Sequence, residues 1–291
     1  MKSARLVATG LATILASGLA SGLASGLAST ALAGTEMTVI TFDNGWEGWN
    51  GTQGPGGTSQ IIQTGGNPGP HAHTVFNNFG IEWWTNTNQN FLGDLTRYEQ
   101  VTISMDVKVE GIWFFFSPVS RNLILDLRSF ALSDDFYPWT SVWFNLGPMS
   151  ANPNWVTYSV TFDPNSKDLP DGWGGYGDET PMAEPILPEH LNFNDITAAV
   201  EEMAFSTYEP GFLYGFTDFD IRIDNIRIEG TLPDTGPVGD LNGDGVVNVF
   251  DLLILLENWG ACPNRGNCPA DLNQDGTVNV FDLLMVLENW G

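Results

Sequence analysis

The sequence predicts a mainly β chain: a jelly-roll or β-sandwich domain followed by a small α-helical module. Three observations carry this. Apolar residues alternate with polar ones at period two, as in Val101, Ile103, Met105, Val107 and Val109. Gly, Pro and Asn punctuate such runs and leave almost no helical periodicity between them. The last 52 residues instead hold one loop–helix unit written twice: residues 240–260 return 31 positions later as 271–291, with four of 21 positions changed.

Taken in order, the chain opens on Lys2 and Arg5, an apolar Ala-rich stretch from Leu6 to Leu32, and an A-x-A site at Ala31, Leu32 and Ala33. That pattern predicts a secretory signal peptide over 1–33 and a secreted protein associated with the cell surface. A membrane anchor is the competing reading, since the stretch approaches membrane length. The repeated Ala-Ser-Gly-Leu units between Ala16 and Leu27 weaken a stable span. No later segment is long and apolar enough to cross a bilayer.

Residues 34–231 predict the sandwich. Val156, Tyr158, Val160 and Phe162 repeat the alternation, as do Leu123, Leu125 and Leu127. Near the end Phe219, Ile221 and Ile223 point one way, but Ile226 and Ile228 have switched parity, which predicts a bulge at Asp224 and Asn225. One short helix is expected over 196–203, where Ile196, Ala199, Val200 and Met203 share a face behind Asn194 or Asp195 as cap. Residues 232–239 read as a Pro/Gly-rich linker.

Charge bounds the partners. The net charge of −25 becomes −27 once Lys2 and Arg5 leave with the signal, and such a surface repels nucleic acid and anionic membranes. The sandwich holds nine of the eleven tryptophans. Flat aromatics stack on sugar rings, so a polysaccharide-binding face fits this composition, with Trp83, Trp84 and Trp173 as the candidates among Asn, Gly and Asp. The bland alternative puts most tryptophans in the core, Trp113 and Trp155 first. A polysaccharide-degrading glycoside hydrolase of sandwich fold is the rival function, because its two carboxylates cannot be found by spacing. No Ser, Cys or His constellation supports another chemistry, and no catalytic residue is assigned. His71 and His73 read as a surface loop.

The repeated loops point to calcium. With Asp240 as position 1, side-chain oxygens fall at Asp240, Asn242, Asp244, Asn248 and Asp251, and Val246 offers its carbonyl. The second copy supplies Asp271, Asn273, Asp275, Asn279 and Asp282, with the carbonyl of Thr277. A hard dication takes six to eight oxygens from such a 12-residue loop, and Gly245 and Gly276 allow its sharp turn. Two Asx-rich turns without metal are the alternative. Leu252, Leu253, Leu256 and Trp259 recur at helical spacing after the first loop, so two facing units are expected to share a small core. Cys262 and Cys268 suit a disulfide in an oxidising compartment, since two thiols without nearby His cannot complete a zinc site.

The duplicated D-x-N-x-D-G-x-x-N-x-x-D loop with its following helix closely resembles a dockerin over 240–291, a tandem EF-hand-like module. The Cys pair between the repeats resembles a variant of large secreted planctomycete-type proteins. The resemblance implies two calcium ions and docking to a cohesin-type scaffold or surface protein. Val249, Phe250, Val280 and Phe281 occupy positions where many dockerins carry Ser or Thr contacts, and are the candidate partner-binding residues. Core burial of both phenylalanines is the alternative.

A second resemblance is scattered over 40–230. The stretches at 42–49, 90–93, 154–160 and 223–228 resemble laminin B and carbohydrate-binding jelly-roll modules. It implies a structural calcium held by Asp224 with Asp43. The combined expectation is a secreted non-catalytic adaptor, with a glycan-binding sandwich delivered by its C-terminal module.

Overall fold

The structure, a computed structural model, describes residues 6–7, 34–134, 136–212, 214–233, 236–262, 268–273 and 275–291. The expected signal peptide lies outside the described residues apart from Leu6–Val7, which pair with Met37 and Glu36. Two compact units follow, Thr35–Leu232 and Pro233–Gly291.

The first unit is a sandwich of two antiparallel sheets. Its principal strands are β1 (Thr35–Ile40), β2 (Gly57–Gly66), β3 (Gly69–Asn78), β4 (Glu82–Thr85), β5 (Gln100–Phe114), β6 (Arg121–Ser129), β7 (Thr140–Met149), β8 (Val156–Phe162), β9 (Trp173–Tyr176), β10 (Glu202–Ser206) and β11 (Thr217–Thr231). In the first sheet β11 lies along β5, while its other edge is divided: residues 217–223 pair with β3 and 226–231 with β1. The division falls at the expected bulge. Register shifts between Asp224 and Arg227, and Asn225 takes the left-handed φ of 49°. Ile221, Ile223, Ile226 and Ile228 are therefore all buried. The second sheet runs β9–β7–β6–β10–β4. Alternate residues of both sheets, among them Ile103, Met105, Leu125, Leu127, Phe205 and Ile221, interdigitate in one core, each contributing ~1.5–3 kcal/mol.

Two local expectations are corrected. The helix α1 is Phe193–Thr197, capped by Asn192 in a reciprocal box with Asp195, and Met203 belongs to β10. Every residue of β10 is buried. Lying between β6 and β4, this strand buries even Glu202 and Ser206, and its Met203 fell into the apolar spacing of 196–200, so the expected helix ran on too far. His71 and His73 lie in β3 rather than in a loop. His73 Nε2 meets Asp220 Oδ1 at 2.7 Å, and His71 is buried with neither ring nitrogen hydrogen-bonded among the described residues.

The second unit places helix α2 (Val249–Glu257) and helix α3 (Val280–Glu288) after the two loops. Cys262 and Cys268 form a disulfide. The small core consists of Val247, Leu255, Ala270, Val278 and Val286.

Burial lowers the His71 pKa to about 4, and the charges of Arg222, His73 and Lys108 add to the drop. Its folded pKa is below the unfolded value near 6.5, so the unfolded chain binds the proton first. His71 should therefore cost stability as pH falls from about 6.5 towards 4. Thermal unfolding of His71→Leu across that range should be less pH-dependent than that of the parent chain; an unchanged profile would assign the dependence elsewhere.

Candidate functional site

The most elaborate surface is the outer face of the second sheet. Because Leu123, Leu125 and Leu127 enter the core, Asn122, Ile124, Asp126 and Arg128 of β6 face outward. Register aligns Trp84, Ala204, Asp126, Trp143 and Gly174 in one row across five strands. A neighbouring row holds Glu202, Arg128, Ser141 and Tyr176. Gly174 is required here: a Cβ on it would come within 2.4 Å of the Trp143 indole, which donates to the Gly175 carbonyl at 3.2 Å.

Arg128 organises the polar part. Its Nε donates to Asp126 Oδ2 at 2.6 Å, Nη1 to Glu202 Oε1 at 2.8 Å and Nη2 to Glu82 Oε1 at 2.5 Å. The guanidinium carbon lies 4.3 Å from the Trp139 ring centroid, and Trp139 leans on Tyr176 at 5.8 Å. Burial opposes the arginine charge, but Asp126 and Glu82 outweigh it and raise the pKa. Burial likewise raises that of Glu82 in spite of Arg128. At the other end of the face Glu209 accepts from Asn122 at 2.8 Å and from Asn145 at 3.1 Å. Half-buried indoles beside carboxylates and amides can hold a polyol by stacking and by hydroxyl hydrogen bonds.

Of the three expected tryptophans, only Trp84 belongs to this face. Trp83 is completely buried and donates to Thr74 Oγ1, while Trp173 packs on Phe162 and Phe193 in the core. Both are corrections: strand parity put Trp83 and Trp84 on opposite sides. Trp113 and Trp155 are half-buried. Trp139, Trp143, Tyr176 and Arg128 also belong to this face, although nothing in their local sequence singled them out. Their signal was faint, an outward-facing row visible only after strand register is known.

The bulge forms a second polar site. Asp224 is fully buried; its Oδ2 accepts from the Asn67 amide at 2.5 Å and its Oδ1 from the Asn225 amide at 2.8 Å. Burial raises its pKa to about 6 against these donors, and the charges of Asp106 and Asp43 add to the rise. Asp43 is exposed and accepts from Thr41. Asp106, also unforeseen, joins through Asn67 Nδ2 at 3.0 Å and Asn225 Nδ2 at 2.8 Å.

In the tail, each loop wraps its backbone amides around its own carboxylates. Asp240 accepts from Gly243, Asp244 and Gly245, and Asp271 from Asp275 and Gly276. Asn242 bonds Asp244, and Asn273 bonds Asp275. Asn248 and Asn279 cap the helices and reach back to the carbonyls of Val246 and Thr277. The buried Asp251 takes amides of Leu241, Asn242 and Asn248, as Asp282 takes those of Leu272, Asn273 and Asn279. Burial pushes the Asp251 pKa up, but these amides prevail and lower it. All-oxygen, carboxylate-rich loops of this kind fit a hard dication such as calcium.

Helix rotation follows from that aspartate. Asp251 points inward, so Leu255 one turn later is buried beside it. Leu253, Leu256 and Trp259, expected in the core, are about half exposed, as are Leu284, Leu287 and Trp290. Val249 and Val280 are exposed as well, and Phe250 and Phe281 each reach 61%.

Breaking the arginine cluster has a definite sign. Arg128→Ala leaves three clustered carboxylates without their cation, a loss of ~3–5 kcal/mol for a buried ionic group. Urea unfolding of the full chain at pH 7 should show it for the sandwich transition; an effect below 1 kcal/mol would mark the cluster as a solvent-screened surface network.

A search of curated proteins finds no match to the chain. Among solved structures, the family 11 carbohydrate-binding module from Clostridium thermocellum in complex with a β-1,3-1,4-mixed-linked tetrasaccharide is 14% identical, at a TM-score of 0.41 over 69% of this chain and 98% of that one. The C-terminal family 22 carbohydrate-binding module of Clostridium thermocellum Xyn10B is 11% identical, at 0.35 over 68% and 95%. The L4b domain of human laminin alpha-2 is 12% identical, at 0.39 over 68% and 98%. For the C-terminal unit the family itself is matched: residues 238–289 correspond to the dockerin type I domain.

Proposed function

We propose that the protein is a secreted, non-catalytic adaptor: its signal peptide, residues 1–33, is removed, its sandwich binds a neutral polysaccharide, and its tail docks to a cohesin-type surface or scaffold protein. The observation that carries the glycan reading is the outer row of Trp84, Asp126 and Trp143 beside Arg128, Trp139 and Tyr176. Carboxylates outnumber the arginine there, which favours uncharged sugars over uronates. All three carboxylates bound to Arg128 are already engaged, which counts against a hydrolase needing two free ones. On affinity gels, neutral β-glucan or xylan should retard the chain and a polyuronate should not. Trp84→Ala or Trp143→Ala should each weaken retardation about tenfold, a loss of ~1.4 kcal/mol; equal retardation by the polyuronate would defeat the assignment.

The tail reading rests on the duplicated oxygen loops. Asp240, Asn242, Asp244, Val246, Asn248 and Asp251 would hold one calcium, and Asp271, Asn273, Asp275, Thr277, Asn279 and Asp282 another. Bound cations would relieve the crowding of six aspartates around a small core. A third ion would sit at Asp224 with Asp43, where Asp106 adds charge. Helical circular dichroism of the tail should rise with calcium and fall with chelator, and identical spectra would refute the two loop sites. Asp251→Ala should damage mainly the first site and Asp282→Ala the second.

The exposed, matching faces of α2 and α3 support docking through Val249 and Phe250 or, equivalently, Val280 and Phe281. Phe250→Ala or Phe281→Ala alone should leave partner affinity nearly intact, while the double variant should lose it and still fold with calcium. Loss on one substitution alone would rule out interchangeable use of the repeats.

A further inference from the structure

The hairpin that ends β5 has an unusual turn. Phe114 pairs with Ser117, leaving Phe115 and Phe116 as a two-residue loop with φ of 45° and 64°. Both central residues are left-handed, a geometry that selects Asn-Gly and that bulky side chains resist. Yet both rings are turned to solvent, Phe115 at 78% and Phe116 at 95% exposure. The Phe115 ring packs edge-on against Phe114 at 4.6 Å between centroids, but Phe116 has no ring partner among the described residues, and turn chemistry favours neither phenylalanine; strain retained at an exposed tip points to a function.

The tip belongs to a larger aromatic rim. Phe114 packs so closely on Gly215 that a Cβ there would meet its ring at 2.5 Å. Phe216 then contacts Phe79, with ring centroids 4.3 Å apart, and both are exposed. From there the same loop runs back to the sheet face: Phe212 packs on Tyr214 at 4.9 Å, and Tyr214 Oη donates to the Glu209 carbonyl at 2.7 Å. The Glu209 carboxylate holds Asn122 and Asn145 on that face. An exposed aromatic patch of this kind is a contact surface rather than a default of folding.

We infer that this rim is a second platform for the ligand of the sheet face, engaging sugar rings further along one chain, so that the preferred ligand is a long neutral polysaccharide. The inference rests on the glycan reading above. Continuity through Glu209 carries it, together with charge: a chain of net charge −25 is repelled by an anionic bilayer. The distance supports a polymer too. From Arg128 to Arg121 alone β6 rises about 23 Å, and the rim lies beyond that end of the strand.

The test replaces the tip by the residues its backbone favours, Phe115→Asn with Phe116→Gly, a change that relieves strain and so retains the fold. Full-length wild type, this double variant and Trp84→Ala are titrated with mixed-linkage β-glucan, with xylan and with the tetrasaccharides of each. The tip variant should bind the polymer at least tenfold more weakly, bind the tetrasaccharide unchanged, and melt no lower than wild type. Unchanged polymer affinity overturns the inference while leaving the sheet-face reading intact if Trp84→Ala still weakens both ligands. Equal loss for the tetrasaccharide also overturns it, since the rim would then be part of the primary site. Binding of wild type to phosphatidylcholine vesicles, or self-association, that disappears in the tip variant assigns the rim to another partner. Failure of wild type to bind any of the glycans overturns the sheet-face reading and this inference together.

Discussion

The sandwich depends on one strand serving three neighbours. Residues 217–231 pair with the long strand 100–114 on one edge, and divide the other edge between 69–78 and 35–40. A strand keeps alternate side chains on one face, so a handover between partners at mid-length requires a break in parity. Asp224 and Asn225 supply it, and every isoleucine on either side remains in the core. The same break turns a carboxylate inward, where it accepts the backbone amides of Asn67 and Asn225, whose side chains in turn bond Asp106. Fold closure and the buried acidic site therefore have one cause.

The second sheet solves a different problem. A guanidinium and three carboxylates sit almost out of water, and such a group stabilises little compared with apolar packing. What it supplies is orientation. Each nitrogen of Arg128 is committed to a separate carboxylate, while its flat face lies on Trp139. The surrounding aromatics are thereby held in fixed orientations on the outward face of the sheet.

In the C-terminal unit the governing element is the aspartate at the end of each loop. It closes the loop by accepting amides from its start, and it caps the helix that follows. Both roles require the side chain to point inward, which sets the rotation of the helix. Few residues remain for the core, and a row of leucines, phenylalanines and tryptophans is left outside. The row is the largest run of exposed apolar side chains among the described residues of this dockerin type I domain.

Features governed by local chemistry were legible in the order of residues alone. Period-two alternation marked the strands at 101–109, 123–127 and 156–162, the parity switch marked the bulge, and the duplicated oxygen pattern marked the C-terminal loops. Such signals lie within a few residues of one another, where geometry is nearly fixed by covalent spacing. Tertiary structure decided what depended on neighbours far along the chain. Residues 202–206 are buried between two strands, so Met203 fell into the apolar spacing of 196–200 and the expected helix ran on to 203. Adjacent Trp83 and Trp84 were separated by the pleat once register fixed which side was core. The outer face needed Trp84, Asp126, Trp143 and Gly174 brought side by side, and no local pattern encodes a juxtaposition made by strand pairing.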